Sequence, residues 1–321
     1  MSGNARGALL ALLSFGLYAL HDVIVKALGA TYSPFQIVFF SVLFGFPLVT
    51  LLLIRDAEPG TLRPVHPWWT LTRTLAAVAT AGSAFYAFST LPLSQTYAIL
   101  FASPLIITVL SVPILGETVR LRRWLAVAAG MIGVLVVLRP GATELQLGHL
   151  AALVASFGSA LAAIIVRRIG QDERPVVLVL YPMLTNLVVM AAILPFVYIP
   201  MSAGDLGLTA AIAALAFAAS MVVIAAYKAG EAVVVAPMQY SQILWATFYG
   251  ALLFDELPSL TTLAGVAIIV TSGIYIVLRE GGQSATSKTP VLESRSRLDD
   301  GLSPRVSTLL RLFRKQPPDA P

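Results

Sequence analysis

The sequence predicts an all-α membrane protein of ten transmembrane helices arranged as two inverted five-helix repeats, and three observations lead there. Of 321 residues 58% are hydrophobic and only 12% are charged, where a soluble domain carries about 25% charged residues; the mean hydropathy is +0.85. Ten apolar runs follow one another, each near the roughly 20 residues that a helix needs to cross a bilayer core of about 30 Å. The second half repeats the plan of the first. The runs are continuously apolar, without the alternation of a membrane β-barrel strand, so a helical bundle is expected.

In chain order the runs cover approximately 7–28, 34–54, 68–90, 93–115, 121–138, 147–167, 176–198, 205–228, 232–253 and 260–278. Arg6 before the first run, and Gly29 and Ala30 after it, imitate a secretory signal, but His21, Asp22, Lys26 and the spans that follow make it a retained helix. The third and eighth runs are crowded with Ala, Gly and Ser from Thr72 to Ser89 and from Thr209 to Tyr227. Small residues let backbones approach where hydrophobicity gives helices no preference for each other over lipid, so these two are expected to be central. The fourth and ninth carry Pro104 and Pro237, which free backbone carbonyls and mark expected bends. The fifth, with Gly130 and Gly133, and the tenth, with Gly265 and Gly273, read as packing helices.

The repeat is visible from the first helix onward. Ser14-Phe15-Gly16 recurs as Ser156-Phe157-Gly158, with Lys26 matched by Arg168 and Glu117 by Glu256. An odd number of helices per unit sets the second copy upside down, with a pseudo-two-fold axis in the membrane plane. The expected units are 1–141 and 142–280, followed by a tail, 281–321, too rich in Gly, Ser, Thr, Pro and charge to fold alone. Within it, Val306, Leu309, Leu310 and Phe313 follow helical spacing beside Arg305, Arg311, Arg314 and Lys315. A short helix at 304–315 lying on the inner leaflet is one expectation, and a solvated tail is its rival.

A cytoplasmic N-terminus places Arg55, Arg63, Arg120, Arg122, Arg123, Arg167, Arg168, Arg174 and Lys228 at or near inner loops, and leaves only Lys26 and Arg139 outside. Both termini are therefore expected in the cytoplasm, as in a bacterial-type inner membrane. The net charge of +5 lies in short loops and the tail, where it meets the lipid bilayer's anionic face, and points away from nucleic acid. Without cysteine there are no disulfides, thiolate metal ligands or thiol nucleophiles.

Ionisable groups inside a membrane segment are costly enough to be site candidates. Ser14, Tyr18, His21 and Asp22 share one stripe of the first helix, and Asp22 stands four residues before Lys26; a self-contained Asp22–Lys26 pair is the structural alternative. His21 and Asp22 are also candidates for proton coupling, because histidine titrates near neutrality and burial pushes a carboxylate upward. Tyr86, Gln95, Tyr97 and Ser103 from the first half, with Ser156, Ser159, Gln239, Tyr240, Gln242, Trp245 and Tyr249 from the second, offer hydroxyls, amides and aromatic faces suited to a small organic solute. Gln239, Gln242, Ala246 and Tyr249 fall on one α-helical stripe. Arg73, and Lys228 with Glu231, are expected to snorkel to headgroups. Glu117 and Glu256 are expected to lock helix corners by accepting N–H bonds at the following helix start.

The sequence holds no Gly-rich phosphate loop, no His-x-x-x-His face and no supported Ser/His/Asp set, and its three histidines are His21, His66 and His149. Neither an enzyme nor a metal or cofactor site is expected.

The two stretches Ala87 to Glu117, AFSTLPLSQTYAILFASPLIITVLSVPILGE, and Ala226 to Glu256, AYKAGEAVVVAPMQYSQILWATFYGALLFDE, resemble the drug/metabolite transporter superfamily, EamA type. The resembling region covers roughly residues 7–140 and 147–280. The resemblance implies ten helices, inverted repeats and a central cavity lined mainly by helices one, three, four, six, eight and nine. Members often carry an arginine in the second helix where this chain has Ser41, so no anion-binding role is carried over. Asp255-Glu256 replaces Gly-Glu in the second copy. Relatives of this type move amino acids, purines, sugars, drugs, riboflavin or S-adenosylmethionine. The expected function is secondary transport of such a metabolite by alternating access, with a non-transporting membrane receptor or assembly partner as the alternative.

Overall fold

The computed structural model describes residues 3–54, 62–117, 119, 121–138, 145–230 and 232–281. The tail with its 304–315 segment, together with Arg55, Arg120, Arg139 and Glu231, lies outside them. The helices are α1 (Gly3–Gly29), α2 (Pro34–Ile54), α3 (Pro67–Thr90), α4 (Leu93–Leu100), α5 (Ser103–Leu115), α6 (Leu121–Leu138), α7 (Leu147–Ile169), α8 (Pro175–Val197), α9 (Ala203–Ala229), α10 (Ala232–Val235), α11 (Ser241–Phe254) and α12 (Leu260–Gly281), with a 3₁₀ turn at Ala236–Tyr240 between α10 and α11. Proline opens α2, α3 and α8, at the position where its missing N–H has no intrahelical partner to lose. Among the described residues five stretches are long and apolar enough to cross a membrane: 4–29, 93–115, 147–169, 176–197 and 203–229.

Two expected rods are broken. The span at 93–115 is α4 and α5 joined through Phe101 and Ala102, and the span at 232–253 is α10, the 3₁₀ turn and α11. Pro104 stands at the start of α5, just after the turn at Phe101 and Ala102, and Pro237 stands at the start of the 3₁₀ turn itself. Each removes one backbone donor and crowds the carbonyl a turn earlier, so the bends anticipated at the two prolines become a turn and a 3₁₀ segment. The 3₁₀ turn winds about 3.0 residues per turn rather than about 3.6.

The packing pairs helices as a two-fold relation would. α1 packs along α9 and α3 along α7, while α6 packs on α12, α2 on α8 and α4 on α11. The small residues of α3 and α9 serve these contacts as expected; Gly158 of α7, for example, lies against Thr80 and Ala76 of α3. In α6 and α12 the approach is reciprocal: a Cβ on Gly133 would stand 2.9 Å from the Gly265 carbonyl oxygen, and one on Gly265 would stand 2.7 Å from that of Gly133.

The two Glu corners share one geometry. Gly116 (φ 70°) and Asp255 (φ 55°) both adopt the left-handed conformation. The next N–H then turns back to the helix, Glu117 N to Ser111 O at 3.3 Å and Glu256 N to Gly250 O at 2.9 Å. Asp255 thus does the work of the glycine it replaces, at a steric cost that a short polar side chain tolerates better than most.

Candidate functional site

α1 runs between the two halves and carries a ladder of polar side chains, each rung reaching a different neighbour. Ser14 Oγ donates to Ala219 O at 2.7 Å, and Tyr18 Oη meets Ser220 Oγ at 2.8 Å, which ties the lower rungs to α9. One turn on, His21 and Asp22 are 1% and 2% exposed. His21 Nδ1 lies 2.7 Å from Asp22 Oδ1, and the Tyr97 hydroxyl of α4 donates to Asp22 Oδ2. The His21 ring stands edge-on to Phe85 of α3 at 5.9 Å between centroids.

This arrangement assigns atoms to roles. An ionised carboxylate only accepts hydrogen bonds, so an Asp22 carboxylate receives the Tyr97 hydroxyl and the Nδ1–H of His21. That leaves His21 Nε2 as the ring's acceptor, and Nε2 is buried with no partner among the described residues. A buried unsatisfied acceptor costs about 1–3 kcal/mol. The cluster gains from a solute N–H or O–H, or from a proton, arriving at Nε2.

From Tyr97 a chain of rings crosses the molecule. Tyr97 contacts Phe88 at 5.2 Å and Phe101 at 5.9 Å, and Phe101 meets Tyr240 at 5.1 Å and 71°. The rings therefore link the break in the fourth span to the 3₁₀ turn of the ninth. Gln242, 3% exposed, follows Tyr240 on α11 and has a buried Nε2 without a partner among the described residues. Trp245 donates its Nε1–H to Leu12 O at 3.2 Å, stacks on Tyr249 at 6.0 Å and lies against Gly16.

The expected site residues thus fall into groups. His21, Asp22, Tyr97 and, through Phe101, Tyr240 come together; Tyr18 joins α1 to α9. Ser103, Ser156 and Ser159 form a second group at the α5–α7 contact, with Ser159 Oγ 3.0 Å from Ser103 Oγ and Ser156 Oγ 3.4 Å from Leu100 O. Trp245 and Tyr249 pack on α1. Tyr86 and Gln239 are half-buried and make no side-chain hydrogen bond among the described residues. Gln95 is taken up by His149, 2.9 Å away.

One alternative and two expectations on charged residues are corrected. Lys26 forms an ion pair with Glu256 (Nζ to Oε1, 2.8 Å) and donates to Leu91 O at 2.7 Å, because α1 ends beside the corner of the other half. Arg73 does not reach for headgroups; it is 2% exposed, and its Nη1 donates to Leu178 O at 2.5 Å, since the packing of α3 against α7 and α8 closes over it. Among the described residues Glu117 and Glu256 make no hydrogen bond to the start of the helix that follows each of them. Glu117 pairs with Arg167 at 2.5 Å, and Glu256 also accepts the Leu93 N–H at 3.3 Å.

The two pairs occupy opposite ends of the bundle, and each joins one half to the other. Each has a cation over a ring nearby, Lys26 on Phe254 at 5.3 Å and Arg168 on Trp69 at 4.8 Å. Arg168 also donates to the Ile114 carbonyl. The match of the two glutamates was the sequence signal for these pairs, while the match of Lys26 fell on Arg168, the neighbour of the pairing Arg167. The ring chain through Phe88 and Phe101 had only the common place of Phe101 and Tyr240 in the two copies to announce it.

Comparison with known proteins gives a consistent picture. The model of the EamA-like transporter family matches twice, at residues 5–139 and 146–279. The S-adenosylmethionine uptake transporter of Rickettsia conorii is 24% identical over 269 residues, 84% of this chain and 91% of that protein. The pseudopaline exporter CntI of Pseudomonas aeruginosa is 25% identical over 273 residues, 84% and 95% of the two chains. The riboflavin transporter of Vibrio cholerae is 27% identical over 261 residues, 76% and 87%. One crystal structure superposes with a TM-score of 0.56 at 17% identity, covering 89% of this chain and 99% of its own, a likeness of fold alone.

Proposed function

The chain belongs to the EamA-like transporter family, and from that membership we propose a secondary carrier that moves a small organic metabolite across a bacterial inner membrane by alternating access. In this reading ten spans form two inverted units, 1–141 and 142–280, with both termini cytoplasmic, so that the Lys26–Glu256 end faces outward and the Arg167–Glu117 end inward. One observation carries the mechanism: the halves are tied to each other at both ends by an ion pair to a repeat-matched glutamate, Lys26 to Glu256 at one end and, at the other, Arg167, next to the matched Arg168, to Glu117. Inverted halves can exchange roles. Releasing one latch while keeping the other opens a path to one side only.

The solute meets the ladder of α1 and the ring chain. Tyr18, His21, Asp22, Tyr97, Tyr240, Gln242 and Trp245 offer donors, acceptors and aromatic faces, which suits amino acids, nucleosides, vitamins or S-adenosylmethionine; the relatives are named for S-adenosylmethionine, pseudopaline and riboflavin. His21 Nε2 is the proposed proton acceptor for coupling, held by Asp22.

The test is a thermal-shift screen of the purified protein against those four classes, since a ligand that binds the folded state raises its stability with the logarithm of concentration. Hits then go to counterflow assays in reconstituted liposomes. Counterflow supports the carrier; binding without counterflow replaces it with a membrane receptor or assembly partner.

A further inference from the structure

Away from the latches and the ring chain, an open cleft of about 390 Å³ lies between the first turns of α6 and the later turns of α12, lined by Arg122, Leu125, Ala126, Thr271, Ser272 and Tyr275. We propose that this cleft is a binding site for an anionic glycerophospholipid, with the phosphate held by Arg122 and Tyr275 and an acyl chain along Leu125. The cleft has the amphipathic layout of such a molecule. Leu125 is 61% and Tyr275 40% exposed, so one wall faces the bilayer. Ile132, seven residues beyond Leu125 and therefore on the same helix face, is 56% exposed and extends the apolar track toward the membrane centre.

Charge supplies the selectivity. Arg122 has no carboxylate partner among the described residues, unlike Lys26 and Arg167, which are both paired. It stands at the second residue of α6, the end of the helix assigned to the cytoplasmic side, where basic residues between spans attract anionic lipid. Guanidinium matches phosphate geometry with two parallel N–H bonds. The Thr271 hydroxyl is spent on its own helix, donating to Ala267 O at 2.7 Å, which leaves the hydroxyls of Ser272 and Tyr275 as the further donors among the lining residues, Tyr275 being the more exposed of the two. The close approach of Gly133 and Gly265 farther along fixes the spacing of the walls, so the cleft is built into the fold.

The site rests on the bilayer placement given above and uses none of the residues assigned to solute. The test is native mass spectrometry of the purified full-length protein with phosphatidylglycerol or phosphatidylethanolamine added back after delipidation. One phosphatidylglycerol is expected to be retained in preference to phosphatidylethanolamine. Arg122→Gln is expected to weaken that retention about fivefold, the typical effect of one basic residue at a membrane surface; Arg122→Lys and the control Arg63→Gln retain most of it. Tyr275→Phe weakens it further in combination with Arg122→Gln. Equal retention of the two lipids, retention unchanged in Arg122→Gln, or a dimer whose spectrum shows no lipid would each overturn the proposal. Because binding is read by mass without solute, its failure leaves the carrier standing, and a failed flux assay leaves the lipid measurement intact.

Discussion

Phe101 and Tyr240 occupy the same place in the two copies of the repeat, sixteen residues before Glu117 and sixteen before Glu256, and their rings meet edge-to-face at 5.1 Å. Each stands where its helical span loses regularity, so the two irregular points touch where the pseudo-symmetric halves cross. An edge-to-face pair favours a defined ring orientation without tying up hydrogen bonds.

That contact makes a first prediction. A double-mutant cycle on Phe101→Ala and Tyr240→Ala should give a coupling of about 0.5–1.5 kcal/mol beyond the area lost. Tyr240→Phe keeps the ring and should leave the melting temperature nearly unchanged while reducing the shift caused by any bound solute.

The latches make a second. Lys26→Gln and Glu256→Gln should each raise the thiol-labelling rate of Ser89→Cys, which sits against Gly29 near that end in a chain with no other cysteine. The reversed pair Lys26→Glu with Glu256→Lys should bring the rate back toward that of the Ser89→Cys parent. Equal labelling in all of these would show that the ion pair does not hold the end closed.

The corner residues make a third. Left-handed backbone costs a non-glycine residue about 1–2 kcal/mol, and glycine loses about 0.4–1 kcal/mol more through the unfolded chain. Asp255→Gly should therefore stabilise the protein by roughly 0.5 kcal/mol in detergent melts. Gly116→Ala, the mirror experiment, should destabilise it by about 1 kcal/mol.

The helix pair α6–α12 makes a fourth. A side chain at Gly133 or Gly265 meets a backbone carbonyl as well as a β-branched side chain, Ile269 or Val137, so Gly133→Leu or Gly265→Leu should destabilise by at least the roughly 1–3 kcal/mol typical of overpacking. The change should appear as a lower melting temperature.

The buried dyad makes a fifth. Asp22→Asn keeps the shape but removes the charge that orients His21, and His21→Gln removes the proposed acceptor. Both should abolish the response of solute flux to a pH gradient in vesicles. If wild-type flux ignores a collapsed gradient, the coupling role of the pair is discarded.

Much of the molecule was legible in the chain because hydrophobic runs and internal repeats are linear signals. Their length gave the helices, Pro104 and Pro237 gave the irregular points, and the Ala-, Gly- and Ser-rich stretches named α3 and α9 as close-packing helices. The substitution of Asp255 for a glycine was visible, but its left-handed conformation required the backbone. His21 and Asp22 stood out because a titratable group in an apolar run is costly. That Tyr97 would share the carboxylate was not legible, since periodicity gives the face of a helix and not the helix opposite.

What the sequence by itself determined is the class of solvent, the helical content, the doubling of one unit and the family, all of which follow from composition and order along the chain. Tertiary structure alone decided the partners. Lys26 had Asp22, four residues away, as one alternative partner and joins Glu256 in the other half; Arg73, expected to reach for headgroups, is closed over by α7 and α8. The physical reason is the packing of the two repeats on each other: it brings distant residues together at each end, and the low-dielectric interior makes those few polar pairings matter more than sequence proximity.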